Sequence, residues 1–124
     1  MTDRPTILIV DDNNLVRKVL TDLLTQTGFN VLSARDGYAA EELLKREGTN
    51  LACALIDLSL PEVSGEQVVL SLRKILPALP VMIISAYPQA QMTATLTAIG
   101  ADAYLQKPFD RSEVLDALNA LIGE

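Results

Sequence analysis

Asp11, Asp12, Asp57, Ser85 and Lys107 each stand where an apolar run ends. Ile7-Leu8-Ile9-Val10 leads into Asp11-Asp12, residues 51–56 into Asp57, Val81-Met82-Ile83-Ile84 into Ser85, and Ala103-Tyr104-Leu105-Gln106 into Lys107. If the runs are parallel strands of one sheet, all five polar residues share its carboxyl edge, where open α/β sheets place their ligands. Three carboxylates, a hydroxyl and an amine at one point are an inventory for holding a divalent metal and a phosphoryl group. Taken singly, these residues say little. Asp11-Asp12-Asn13-Asn14 suits a helix N-terminus, and a lone Asp57, Ser85 or Lys107 suits a solvated strand end. Together they are costly: at an effective dielectric of about 20, two carboxylates about 4 Å apart repel by about 4 kcal/mol. A bound divalent cation and a neighbouring ammonium would offset that repulsion.

The rest of the composition narrows the chemistry. The 124 residues contain no histidine, which excludes Ser-His and Cys-His catalysis and histidine-bound metals. Any metal is therefore oxygen-bound, which favours magnesium, manganese or calcium. Cys53 is the only cysteine, so it forms no internal disulfide, and its apolar neighbours predict a small buried hydrophobe. A net charge of −6 argues against direct binding of nucleic acid or an anionic membrane. No stretch approaches the ~20 apolar residues of a membrane span, and Met1-Thr2-Asp3-Arg4-Pro5 has no apolar secretory core. A cytoplasmic protein of one domain, residues 1–124, is expected.

Strand-like and helix-like patterns alternate five times. Strands are predicted over 6–10, 31–34, 51–56, 81–84 and 103–106. The first helix carries Leu15, Val16, Val19, Leu20, Leu23 and Leu24 in two interleaved i, i+4 rows, which predicts one buried face. Gly28 suits its C-terminal cap. A second helix over 39–47 turns Leu43-Leu44 inward and is closed by Gly48. A third runs over 64–76, before Pro77. Pro88 suits the first turn of a fourth, which Gly100 ends. Asp110 and Glu113 form a capping box for the fifth, whose buried face is Val114, Leu115, Leu118, Leu121 and Ile122. Such alternation predicts a parallel sheet with helices on both sides. Runs one, three and four are apolar throughout, as central strands are, while two and five are mixed, as edges are. The expected architecture is a flavodoxin-like, doubly wound (βα)5 fold of order 2-1-3-4-5, with Asp11, Asp12 and Asp57 flanking the switch point between strands one and three.

At this point the chain resembles the response-regulator receiver domains of two-component signalling. The resemblance rests on Ile9-Val10-Asp11-Asp12, on Leu55-Ile56-Asp57-Leu58-Ser59-Leu60-Pro61 with Gly65, on Ile84-Ser85-Ala86, and on residues 100–109 with Lys107-Pro108-Phe109. It covers essentially the whole chain. It implies that Asp57 is the phosphoacceptor, attacking the phosphohistidine of a sensor histidine kinase or phosphotransfer protein. It implies magnesium, or manganese, held directly by Asp12, Asp57 and the Ser59 backbone carbonyl, with Asp11 acting through water. Lys107, the Ser85 hydroxyl and the Ala86 N–H would bind the phosphoryl oxygens, Tyr104 would be an aromatic switch coupled to Ser85, and the Lys107-Pro108 bond would be cis. The partner downstream would be a protein or an effector domain, engaged through helix four, strand five and helix five, by a monomer or a phosphorylation-dependent dimer. Ser59 and Tyr87 would tune the lifetime of the phosphoryl group, and Tyr87 predicts slow self-dephosphorylation.

The residues support this reading independently of the family. A carboxylate nucleophile forming an acyl phosphate is an established covalent strategy, and phosphoryl transfer needs chiefly positioning and charge neutralisation. The β-branched Thr93, Thr95 and Thr97 predict that helix four is the least stable and the most mobile on phosphorylation. Three rival readings differ at identifiable residues. A haloacid-dehalogenase-type phosphatase wants an acid two residues after the nucleophile, where Ser59 stands. A flavin-binding module wants a first loop free of acids, where Asp11-Asp12 stand. A receiver-like interaction module that is never phosphorylated would have lost key positions that are all filled here.

Overall fold

The computed structural model describes residues 4–47, 51–60 and 63–123. Five strands alternate with five helices: β1 (Thr6–Val10), α1 (Asn14–Gln26), β2 (Asn30–Ala34), α2 (Gly37–Glu47), β3 (Leu51–Asp57), α3 (Gly65–Ile75), β4 (Val81–Ser85), α4 (Gln89–Ile99), β5 (Ala103–Gln106) and α5 (Arg111–Ile122). The strands form one parallel sheet in the order β2-β1-β3-β4-β5. This is the doubly wound architecture and strand order predicted from the sequence.

Successive side chains of a strand point to opposite faces, and the core divides accordingly. Leu8, Val10, Ala54, Ile56 and Ile83 pack on one face with Leu44 of α2 and Val68, Val69 and Leu72 of α3. Ile7, Ile9, Cys53, Leu55, Met82 and Ile84 pack on the other with Leu20, Leu23 and Leu24 of α1 and Val114 and Leu118 of α5. Each aliphatic side chain so buried contributes about 1.5–3 kcal/mol. Cys53 is fully buried, and burial pushes its thiol pKa up to about 12. It is the inert hydrophobe its apolar neighbours predict.

Local signals in the sequence set the element ends. Asn13 caps α1, its Oδ1 accepting from the amides of Leu15 and Val16 at 2.9 and 3.1 Å. Ser64 with Gln67, and Asp110 with Glu113, form capping boxes for α3 and α5. Gly28 lies just past the α1 cap at φ 104°, and Gly100 ends α4 at φ 67°, backbone angles that glycine adopts without strain.

Three expectations need correction. Leu15 and Val19 do not lie in the buried face of α1: they are 68% and 50% exposed. Leu20, Leu23 and Leu24 fill the stripe that meets the sheet, while the N-terminal part of the row Leu15, Val19 and Leu23 stays in solvent. Pro88 is the N-cap of α4 rather than a first-turn residue. The helix of residues 39–47 begins two residues earlier, at Gly37. Gly48 and Pro61 lie outside the described residues.

α4 is the least embedded helix. Ile99, at its C-terminal end, is its only buried residue, and no side chain caps its N-terminus. That C-terminal end is held by Arg73 of α3. The guanidinium donates to the carbonyls of Ile99 (3.1 Å) and Gly100 (2.6 Å) and pairs with Asp102 at 2.7 Å.

Candidate functional site

The strand register brings the polar residues together. Val10 pairs with Ile56, Asp57 with Ile84, and Ser85 with Gln106. The strands end nearly in step, so Asp11, Asp57, Ser85 and Lys107 share the carboxyl edge. Backbone bonds tie the exits together: Leu58 N–H donates to the Ile84 carbonyl at 3.2 Å, and Lys107 N–H to the Ser85 carbonyl at 2.8 Å. The Lys107–Pro108 peptide is cis. Asp11, Asp57 and Ser85 are the buried polar residues of the described chain, while Asp12 is exposed at the rim.

The three carboxylates each offer an oxygen, and these oxygens lie within 4.8 Å of one another. Lys107 Nζ stands 2.9 Å from Asp11 Oδ2 and 3.3 Å from Asp57 Oδ2. Burial pushes the Asp57 carboxyl pKa up. The Ser59 N–H, which donates to Asp57 Oδ1 at 3.0 Å, opposes the rise; the Asp11 charge adds to it, and Lys107 opposes it. Burial alone would lower the pKa of the Lys107 ammonium, but its hydrogen bond and charge pairing with Asp11, and its pairing with Asp57, outweigh burial and raise it. One ammonium thus serves two buried carboxylates, and a third acid stands beside them.

This donor set fits a hard divalent cation. The ligating atoms are all oxygen and closely grouped, and the buried Asp11 Oδ2 has only the shared Lys107 ammonium, 2.9 Å away, as a partner among the described residues. A carboxylate oxygen has room for more than one such partner, and a cation or its water shell would complete it.

Residues 7–119 match the response regulator receiver domain family. The chain belongs to that family. A curated relative, the probable transcriptional regulatory protein TcrX of Mycobacterium tuberculosis, is 35% identical over 118 residues, which make up 94% of this chain and 49% of the relative. A CheY from Borrelia burgdorferi, solved as a CheX-CheY-BeF3-Mg2+ complex, superposes with a TM-score of 0.86 at 29% identity, covering 94% of this chain and 87% of that one. The receiver domain of sensor histidine kinase PA1611 from Pseudomonas aeruginosa PAO1, solved with magnesium coordinated in its active-site cleft, superposes at 0.83 with 25% identity, covering 98% of this chain and 100% of that one. The receiver chain spans roughly half or less of the curated relatives it matches.

The remaining predicted positions of the receiver fall around the cluster. Ser85 is buried, and its Oγ accepts from the Tyr87 N–H at 3.2 Å. Ala86 and Ser59 are exposed at the mouth. Tyr87 is 54% exposed. Tyr104 is half-buried against the core, and its hydroxyl donates to the Tyr87 carbonyl.

Sequence reasoning missed two supports. Gly65 lies so close to the end of β3 that a Cβ there would be 2.4 Å from the Asp57 carbonyl oxygen. The Arg17 guanidinium donates to the Asp11 carbonyl at 2.7 Å. The first had a signal in the glycine that follows the Asp57 motif; the second had none, because an arginine on a helix is ordinarily a solvated side chain. The misassigned Leu15 and Val19 join Val16, Ala86, Pro108 and Phe109 in an apolar groove that opens beside Lys107. Among the described residues no helix is long and apolar enough to cross a membrane.

Proposed function

We propose that this receiver domain accepts a phosphoryl group on Asp57 and relays that event to a partner or effector domain. The observation that carries the reading is a buried aspartate at the sheet's switch point, paired with Lys107 and grouped with Asp11 and Asp12. An Asp57 carboxylate oxygen attacks phosphorus in line. The bond from phosphorus to the imidazole nitrogen of a donor phosphohistidine breaks, and its electron pair returns to that imidazole. Lys107 holds a phosphoryl oxygen by charge, while the Ser85 hydroxyl and the Ala86 N–H bind the others. Asp12, Asp57 and the Ser59 carbonyl would hold magnesium, or manganese in its place, with Asp11 acting through water. When bound, the cation neutralises the charge that gathers on the phosphoryl oxygens.

The donor is a sensor histidine kinase or phosphotransfer protein, and the apolar groove beside Lys107 is a surface on which such a partner can seat. The chain catalyses only its own phosphorylation and dephosphorylation. Tyr104 follows Ser85 when the latter moves toward the phosphoryl group, and α4, β5 and α5 form the output face. The chain serves as one receiver unit over residues 1–124, with the effector in a separate domain or protein. Ser59 and Tyr87, exposed at the mouth, govern how readily water reaches the acyl phosphate.

Incubation with magnesium and acetyl phosphate tests the reading by intact mass. One phosphoryl adduct is expected, absent without magnesium and absent in Asp57→Asn. No adduct in the wild type, or an adduct that survives the substitution, overturns it.

A further inference from the structure

We infer that Arg17 is a positioning residue for the metal-holding loop, fixing the backbone from which Asp11 and Asp12 project. The inference rests on the proposed reading of this cluster as a magnesium-dependent phosphoacceptor site. Besides the Lys107 ion pair on its Oδ2, Asp11 is tied at three points. Its N–H donates to the Ala34 carbonyl at 3.1 Å, its Oδ1 accepts the Asn13 N–H at 2.9 Å, and its carbonyl accepts Arg17 Nη1 at 2.7 Å. The first tie continues the sheet and the second closes a local turn. Only the third reaches back from the body of α1, and it is the one charged donor on the loop backbone, Lys107 pairing with the carboxylate instead.

The two ends of the Arg17 fork divide the work. Nη2 donates to the Asn14 side chain, at the first position of α1, while Nη1 holds the loop carbonyl. The Arg17 amide also donates to the Asn13 carbonyl at 3.1 Å. The guanidinium therefore links the start of the helix to the peptide between Asp11 and Asp12. Its side chain bonds to a carbonyl and an amide oxygen and forms no ion pair with a carboxylate among the described residues, so it acts through geometry rather than by neutralising the cluster. A planar fork can span both acceptors at once, whereas the point charge of a lysine ammonium cannot hold that geometry. Asp12 is exposed at the rim, so the peptide that Arg17 holds sets where its carboxylate points.

Partners one shell out from a metal ligand typically change metal affinity 10- to 100-fold when removed. For an arginine on the backbone of the loop, about tenfold is expected. The test is a magnesium chloride titration followed by backbone amide NMR on wild type, Arg17→Met, Arg17→Lys and Asp57→Asn. Thermal melts and metal-free amide exchange are measured on the same samples. Both Arg17 variants should bind magnesium about tenfold more weakly, and the Asn13 amide should exchange faster even without metal. Unchanged magnesium affinity in both variants, with or without a lower Tm, shows a merely structural role and overturns the inference. So does tighter binding by Arg17→Met with no change in Arg17→Lys, which is the signature of a plain charge effect. A wild type that takes up no magnesium, or an Asp57→Asn that binds it as well as wild type, defeats the underlying reading of the site instead, and the inference falls with it.

Discussion

The Tyr104 hydroxyl donates a hydrogen bond to the Tyr87 carbonyl, joining β5 to the loop that leaves β4. Tyr87 in turn donates its N–H to Ser85 Oγ at 3.2 Å. A bonded path therefore runs from the buried hydroxyl at the site to the half-buried ring under α4. At the far end of α4, Arg73 holds the last carbonyls. The helix is tied to the site at its start and clamped at its end.

Tyr104→Phe keeps the ring in its packing and removes the tie. A typical hydrogen bond contributes about 1 kcal/mol net, which is about fivefold in an opening equilibrium. Amides in the first two turns of α4 should exchange about fivefold faster, while those near Ile99 stay as they are under the Arg73 clamp. Equal acceleration along the helix, or none, would show that the tie does not organise α4. The same measurement on wild type ranks the helices, and α4 should exchange fastest.

On the proposed reading, Tyr87 should bear on the lifetime of the acyl phosphate. Its ring stands two residues beyond Ser85 and is 54% exposed, so it can cover the mouth without filling it. Tyr87→Ala should shorten the phosphoryl lifetime at least twofold, read as decay of the adduct by intact mass. An unchanged decay would assign the ring to the surface alone.

The Asp57 carboxyl has a raised pKa in the metal-free fold, with burial as the first cause. A raised folded-state pKa means that the folded chain prefers the protonated carboxyl. The resulting stability is present below the unfolded value and is lost as pH rises through the folded one. Ionised Asp57 therefore destabilises the metal-free protein at neutral pH. Asp57→Asn should raise Tm by several degrees at pH 7 without metal, and the gain should shrink as the pH is lowered toward 4. Magnesium should stabilise wild type more than the variant. Thermal melts across pH, with and without magnesium, check all three; a variant that melts below wild type at neutral pH contradicts the account.

Gly65 supports the acceptor strand from below. A methyl group there would meet the Asp57 carbonyl oxygen at 2.4 Å and the Leu58 Cα at 2.7 Å, both of them backbone atoms that cannot rotate away. Gly65→Ala should cost about 1–3 kcal/mol, the usual range for overpacking, and should also weaken magnesium binding, because the strained segment carries Asp57 and Ser59. Denaturant unfolding beside a magnesium titration tests both halves. Full stability in the variant would mean that the loop has room to move.

Most of the fold was legible because its signals are local. Apolar runs broken by caps and glycines named ten elements, and the contrast between wholly apolar and mixed strands ordered the sheet. Strand ends were displaced by a residue at Asp57 and Ser85, where the ladder continues through polar residues that a hydrophobic pattern stops at. Leu15 and Val19 were misread for a related reason: periodicity shows that a residue is apolar and near a stripe, not whether the neighbouring element reaches it.

The sequence by itself determined the chemistry of this receiver. Three acids, one amine, one hydroxyl and no histidine leave oxygen ligation and a borrowed phosphoryl group as the natural use, and strand periodicity places those residues on one edge. Only the tertiary structure decided how they are held. That Lys107 is shared between Asp11 and Asp57, that Gly65 lies under the acceptor, that Arg17 grips the loop and that Tyr104 reaches the Tyr87 carbonyl are contacts between residues far apart in the chain or on different elements. Such contacts depend on how twisted strands and packed helices meet in space, and no local pattern encodes that distance.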